Sequence, residues 1–319
     1  MEKHLGLPLN FPPNASTHGA ELDYLTAIVH WFMIILFVGW GLFYLYCLFR
    51  FRRGKNPVAS YGGAKGKFST YGEAGVVLIE VVLLVLFAVP IWAKRVSAVP
   101  SKTDAVELRV IAEQFAWNVH YPGADGVFGR TDVKKVTAGG NPLGIDFTDP
   151  AAQDDVITLN QLHLPVDKPA IIYLSSKDVI HSFFLPQMRV KQDAIPGQVI
   201  PVYFTPNKVT PPDAQFPACA SAKPKNCWEI ACAQLCGLTH YRMQGYYTVH
   251  TQADFDKWLA DNAPKTATAT PAAMAPLPPP PAPTAEPVTP GGRVLPGTGD
   301  PVGGDRDEHG AHADPPPGA

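Results

Sequence analysis

The chain has 319 residues, 46% of them hydrophobic, and a formal net charge of -2 from 26 basic and 28 acidic side chains. That balance, with Lys and Arg gathered only in one short loop, excludes a nucleic-acid partner, which needs a basic stripe or helix. Five cysteines are too few for a disulfide-stapled miniprotein, and four of them, Cys219, Cys227, Cys232 and Cys236, crowd into one region.

Residues 28–49, IVHWFMIILFVGWGLFYLYCLF, carry no formal charge and are long enough to cross a hydrocarbon core of roughly 30 Å. The run starts late and lacks a small-residue cleavage site, so it predicts a retained transmembrane helix rather than a signal peptide. A second apolar run, 74–93, is broken only by Glu80 and ends at Lys94 and Arg95. Together they predict an outer segment over 1–25 and a helical hairpin over 26–95. Arg50, Arg52, Arg53, Lys55, Lys65 and Lys67 lie between the helices, and a short basic loop of this kind stays cytoplasmic. Both chain ends are therefore expected outside, which in a bacterium means the periplasm. In that oxidising place Cys219 and Cys227 are spaced to close a disulfide, two free thiols being the alternative.

Residues 96–262 change to short runs rich in Val, Ile and aromatics: VELRVIA, FAWNVHY, AIIYLSS, VIHSFFL, VIPVYFT and GYYTVH. Separated by Pro, Gly and Asp, they predict an all-β antiparallel sandwich or barrel. Thr251 followed by Asp254 predicts the N-cap of a short helix, QADFDKWLA. Residues 263–319 are Pro- and Ala-rich, with LPPPPAP at their centre, and read as a flexible tail.

One loop concentrates the chemistry. Cys232-Ala-Gln-Leu-Cys236-Gly-Leu-Thr-His240-Tyr-Arg-Met243 places two thiols, an imidazole and a thioether within twelve residues. Soft sulfur donors suit copper in its lower oxidation state and imidazole also serves the higher one, so the mixture fits a redox metal. Zinc held by both cysteines, His240 and another His is one alternative, and a Cys232–Cys236 disulfide is a second. A single-copper blue site needs only one Cys, so the second favours a two-copper centre. A further imidazole must come from a distant strand. His181, in SSKDVIHSFFLP, is the best candidate, whereas His120, His163 and His250 read as structural histidines. No C-x-x-C-H is present, so no c-type haem is fused to the chain.

Glu73 and Glu80 are seven residues apart, hence on one helical face, and an intramembrane carboxylate is a functional candidate by default. An interfacial anchor against lipid headgroups is the alternative for Glu73. Two apolar helices alone bury little, which implies a larger membrane partner.

Over residues 20–262 the hairpin, the strand EQFAWNVHY, the block SSKDVIHSFFLPQMRVKQDAIPGQ and the loop CAQLCGLTHYRM resemble, in order, subunit II of the haem-copper cytochrome c oxidases. The resemblance implies a cupredoxin-like domain holding a binuclear copper A centre. Its ligands would be bridging thiolates of Cys232 and Cys236, imidazoles of His181 and His240, the Met243 thioether and the Gln234 backbone carbonyl. It also implies electron entry at Phe115 and Trp117, cytochrome c docking at Asp178, and a proton-path entry at Glu73. The implied partners are subunit I, with haem and copper B, subunit III, a c-type cytochrome donor and membrane lipid. Gln234 stands where most members carry a Glu that helps hold magnesium, so the resemblance does not carry that ion over. Phe115 stands in place of the family's exposed Trp.

Asp125, Asp132, Asp146, Asp149, Asp154, Asp155, Asp178 and Asp193 would steer a basic cytochrome or serve as turn residues. The expectation is a multi-pass protein of the bacterial inner membrane that takes electrons from a c-type cytochrome and passes them to haem in subunit I, where oxygen is reduced. The alternative is a membrane-anchored copper-binding or delivery protein. The quinol-oxidase version of the subunit lacks these copper ligands, and nitrous oxide reductase needs a second catalytic domain.

Overall fold

The structure, a computed structural model, describes residues 5–7, 11–58, 61–62, 66–97, 99–137, 140–215, 217 and 227–264. Cys219 and the 265–319 tail lie outside the described residues.

Two long helices come first. Helix α1 spans Gly19–Arg50, and a second helical rod covers Phe68–Ser97. The rod comprises α2 (Phe68–Leu83), a π-helical turn (Leu84–Ala88) and α3 (Val89–Ser97). Both are long and apolar enough to cross a membrane, and their central side chains are exposed, Phe37 at 80%. Helix α1 begins nine residues before the apolar run. That added part is not membrane-like, because Asp23 and Ala27 are buried.

Among the described residues ten strands follow: β1 (Val106–Glu113), β2 (Ala116–Tyr121), β3 (Val156–Leu159), β4 (Gln161–Pro165), β5 (Ala170–Ser176), β6 (His181–Leu185), β7 (Val190–Ala194), β8 (Ile200–Phe204), β9 (Glu229–Cys232) and β10 (Gln244–His250). They form two five-stranded sheets, ordered β3-β2-β1-β5-β8 and β4-β10-β9-β6-β7. Alternation explains the layers. In β1 Leu108, Val110 and Ala112 turn inward, while Glu107, Arg109 and Ile111 are only half-buried. The core holds Trp117, Ile172, Leu174, Phe183, Leu185, Met188 and Tyr247, and each such side chain contributes about 1.5–3 kcal/mol.

The sandwich is not wholly antiparallel, contrary to the sequence expectation. Strand β1 runs parallel to β5, and β10 parallel to β4. The chain switches sheets between β3 and β4, β4 and β5, β5 and β6, β7 and β8, and β8 and β9, so neighbours within a sheet are often distant in sequence. Helix α4 (Gln252–Asn262) closes the domain. Thr251 Oγ1 accepts from Asp254 N at 3.2 Å and donates to the Asp254 carboxylate at 2.7 Å, a reciprocal cap of the kind anticipated.

Candidate metal centre

Pairing of β6 with β9 builds the site. Phe183 sits opposite Cys232, so His181, at the start of β6, is brought beside the end of β9. The chain then runs through a loop and a short 3-10 turn, His240–Arg242, before Met243 delivers it to β10. Gly237 makes the loop possible. Its φ is +135°, and a Cβ there would lie 2.8 Å from Gln114 Nε2 and 3.1 Å from Phe115 Cζ.

The donor atoms converge. His181 Nδ1 lies 3.1 Å from Met243 Sδ and 3.9 Å from Cys232 Sγ. Cys236 Sγ is 3.8 Å from Cys232 Sγ, 3.8 Å from Met243 Sδ and 3.4 Å from His240 Nδ1. The Gln234 carbonyl lies 3.3 Å from Cys232 Sγ. His181, Cys236 and Met243 are buried, whereas the loop tip exposes Leu235, Leu238 and Tyr241.

These distances narrow the sequence alternatives. Cys232 and Cys236 are free thiols, and 3.8 Å is far beyond a disulfide bond, so that reading falls. Zinc would take thiolates and imidazoles, yet a thioether lies 3.1 Å from His181 Nδ1 and 3.8 Å from Cys236 Sγ, a donor that zinc sites do not use. The set suits a soft redox metal. Burial, with Cys232 beside it, pushes the Cys236 thiol up to about 12. Without a metal, the Cys236 thiol is therefore protonated at neutral pH.

A supporting layer surrounds the donors. Asp178 Oδ1 lies 2.8 Å from His181 Nε2, while Asp178 Oδ2 accepts from Gln114 N at 2.6 Å. Burial alone would raise the Asp178 carboxyl, but His181 and the backbone N–H groups of Gln114 and Val179 bring it below its ordinary value. Gln114 Nε2 donates to the Cys236 carbonyl at 2.6 Å. Trp117 is fully buried and meets His181 edge-on at 6.2 Å between ring centres. Phe115 packs half-buried against the core.

Other expected residues lie elsewhere. Glu73 and Glu80 are exposed on α2, with Glu73 accepting from Ser69. Cys227 is disulfide-bonded, and Cys219, its expected partner, lies outside the described residues. His120 pairs with Asp155 at 2.7 Å, both buried, and His163 Nδ1 meets His250 Nε2 at 2.8 Å. These three are not part of the cluster. Several insertion acids are consumed locally: Asp132 and Asp149 cap 3-10 turns, Asp154 accepts from Ala124 and Asp125 N–H groups, and Asp146 binds Lys135, Arg130 and Thr148. Their turn role is visible. The part of Asp178 in orienting His181 was missed, although its position three residues ahead was a usable signal.

The family model for the cytochrome C oxidase subunit II periplasmic domain matches residues 106–246. Among curated relatives, the alternative cytochrome c oxidase subunit 2 of Bradyrhizobium diazoefficiens is 31% identical over 257 residues, covering 80% of this chain and 85% of the relative. Cytochrome c oxidase subunit 2 of Synechocystis is 36% identical over 135 residues, covering 40% of this chain and 35% of the relative. The solved periplasmic domain of subunit II of cytochrome oxidase from Bradyrhizobium japonicum aligns with a TM-score of 0.33 at 24% identity, over 51% of this chain and 96% of that one.

Proposed function

The chain belongs to the cytochrome c oxidase subunit II family, and from that premise we propose that it is the electron-input subunit of a membrane-bound oxidase. In this reading a c-type cytochrome supplies electrons from the outer side, and they leave for haem in subunit I, where oxygen is reduced. The chain itself makes and breaks no bonds of the substrate. It is multi-pass in a bacterial inner membrane with the β-domain outside, and it assembles with subunit I and, by family resemblance, subunit III.

The observation that carries the reading is the arrival of His181, fifty-one residues before Cys232, within 3.9 Å of that thiol and 3.1 Å of Met243 Sδ. The residues fit a copper pair. Cys232, Cys236, the Nδ1 atoms of His181 and His240, the Met243 thioether and the Gln234 carbonyl would hold it. Bound copper supplies one-electron redox cycling. The β6–β9 pairing fixes the donors before metal arrives, and Asp178 orients the His181 ring, so little reorganisation attends a change in charge. Gln234 offers no carboxylate, so the chain contributes no acid at that position to an inter-subunit magnesium.

The test is electron delivery in the purified complex. Reduced c-type cytochrome should reduce the metal centre first and the partner's haem second. A chain that purifies without a haem-containing partner and gives up its metal readily would instead be a copper-delivery protein.

A further inference from the structure

The hairpin and the sandwich meet at a polar neck. Asp23, near the start of α1 and 5% exposed, forms a two-pronged pair with Arg189: Nε to Oδ1 at 2.7 Å and Nη2 to Oδ2 at 3.0 Å. Arg189 has φ of 54°, in the left-handed region, just after the 3-10 turn Pro186–Met188. Its remaining N–H groups donate to the Pro186 and Pro12 carbonyls at 2.6 and 2.7 Å. The segment entering α1 is fastened to the same turn, by Ala15 N to the Gln187 carbonyl and Ser16 Oγ to the Met188 carbonyl, each at 2.8 Å. The second helix is tied to β8. Arg95 donates to the Tyr203 carbonyl at 3.0 Å, and the Tyr203 hydroxyl donates to the Val96 carbonyl at 2.6 Å. Lys94 and Glu21 join the two helix ends.

The turn held by Arg189 directly follows β6, and β6 begins with His181. A five-residue strand spans roughly 14 Å between its first and last Cα atoms, so the neck and the metal cluster sit at opposite ends of one short rod. A bidentate guanidinium–carboxylate pair fixes orientation as well as distance. We propose that Asp23 and Arg189 are positioning residues that set the height and tilt of the metal cluster above the membrane, and thereby the distance electrons cross to the partner's haem. This rests on the electron-input reading given above.

The test uses the purified oxidase complex carrying Asp23→Asn, Arg189→Lys, or the exchanged pair Asp23→Arg with Arg189→Asp, because Asp tolerates the left-handed region. Reduction of the metal centre by the cytochrome and onward transfer to haem are timed separately. In either single variant, onward transfer should slow by about tenfold or more, while metal paramagnetic resonance and the first rate stay within about twofold of the parent. The exchanged pair should recover part of the onward rate. An unchanged onward rate, loss of the metal signal, or loss of the haem partner would each overturn the proposal, the last two by assigning the pair to folding or assembly. Absence of onward transfer in the parent complex would sink the electron-input reading itself.

Discussion

Asp178 Oδ1 and His181 Nε2 lie 2.8 Å apart, so a carboxylate holds the far side of the one donor imidazole that comes from outside the loop. The acid expected to greet a cytochrome thus also faces inward. Replacing Asp178 by Asn removes the charge and its preference for an N–H on Nε2. The expected result is a loss of about 10–100-fold in metal affinity with an altered paramagnetic spectrum. Unchanged affinity, with only a salt-dependent drop in the cytochrome association rate, would return Asp178 to a purely docking role.

Gly237→Ala tests the loop. The new methyl would meet Gln114 Nε2 at 2.8 Å and Phe115 Cζ at 3.1 Å, and a φ of +135° is open essentially only to glycine. Strain of about 1–3 kcal/mol should appear as a lowered unfolding midpoint, with looser metal retention because Gln114 also holds the Cys236 carbonyl. An unshifted midpoint would show that the loop relaxes freely.

The buried His163, in contact with His250, should make the stability of the β-domain acid-sensitive. Burial, and the neighbouring His250, depress His163 to about 3, and His250 is lowered by burial too although Asp254 pulls the other way. His163 is stacked on Trp258 at 4.0 Å, and its backbone is bonded to the Tyr121 hydroxyl. A histidine depressed in the folded state binds its proton only after unfolding. Stability is therefore full above pH 6.5 and is lost as pH falls from there toward 3. Between pH 7 and pH 5, His163 alone should cost about 2 kcal/mol, which denaturant titration can measure. His163→Gln should flatten that slope, and an equally steep variant would contradict the assignment.

Much of the site was legible because its chemistry is local in sequence. Cys232, Gln234, Cys236, His240 and Met243 share one loop, and the structure brings all of them to one cluster with His181. His181 could be nominated from its strand-end position, but its arrival depends on pairing between β6 and β9, which periodicity does not encode. The apolar runs gave the two helices. Their outer ends were harder to read, since Asp23 is charged and its burial depends on Arg189, far away in sequence. Strands β3, β4 and β7 were missed as separate elements, being short and interrupted by polar residues such as His163 and Asp193. The parallel pairs followed from sheet-switching connections that alternation cannot reveal.

If His181, Cys232, Gln234, Cys236, His240 and Met243 hold a copper pair, metal content and paramagnetic resonance will show it directly. The full-length chain, prepared in membranes with copper supplied, should carry two copper ions, and paramagnetic resonance should show one unpaired electron shared equally between them. Cys236→Ser should abolish that shared signal. A single copper, zinc alone, or a shared signal that survives Cys236→Ser would contradict the account.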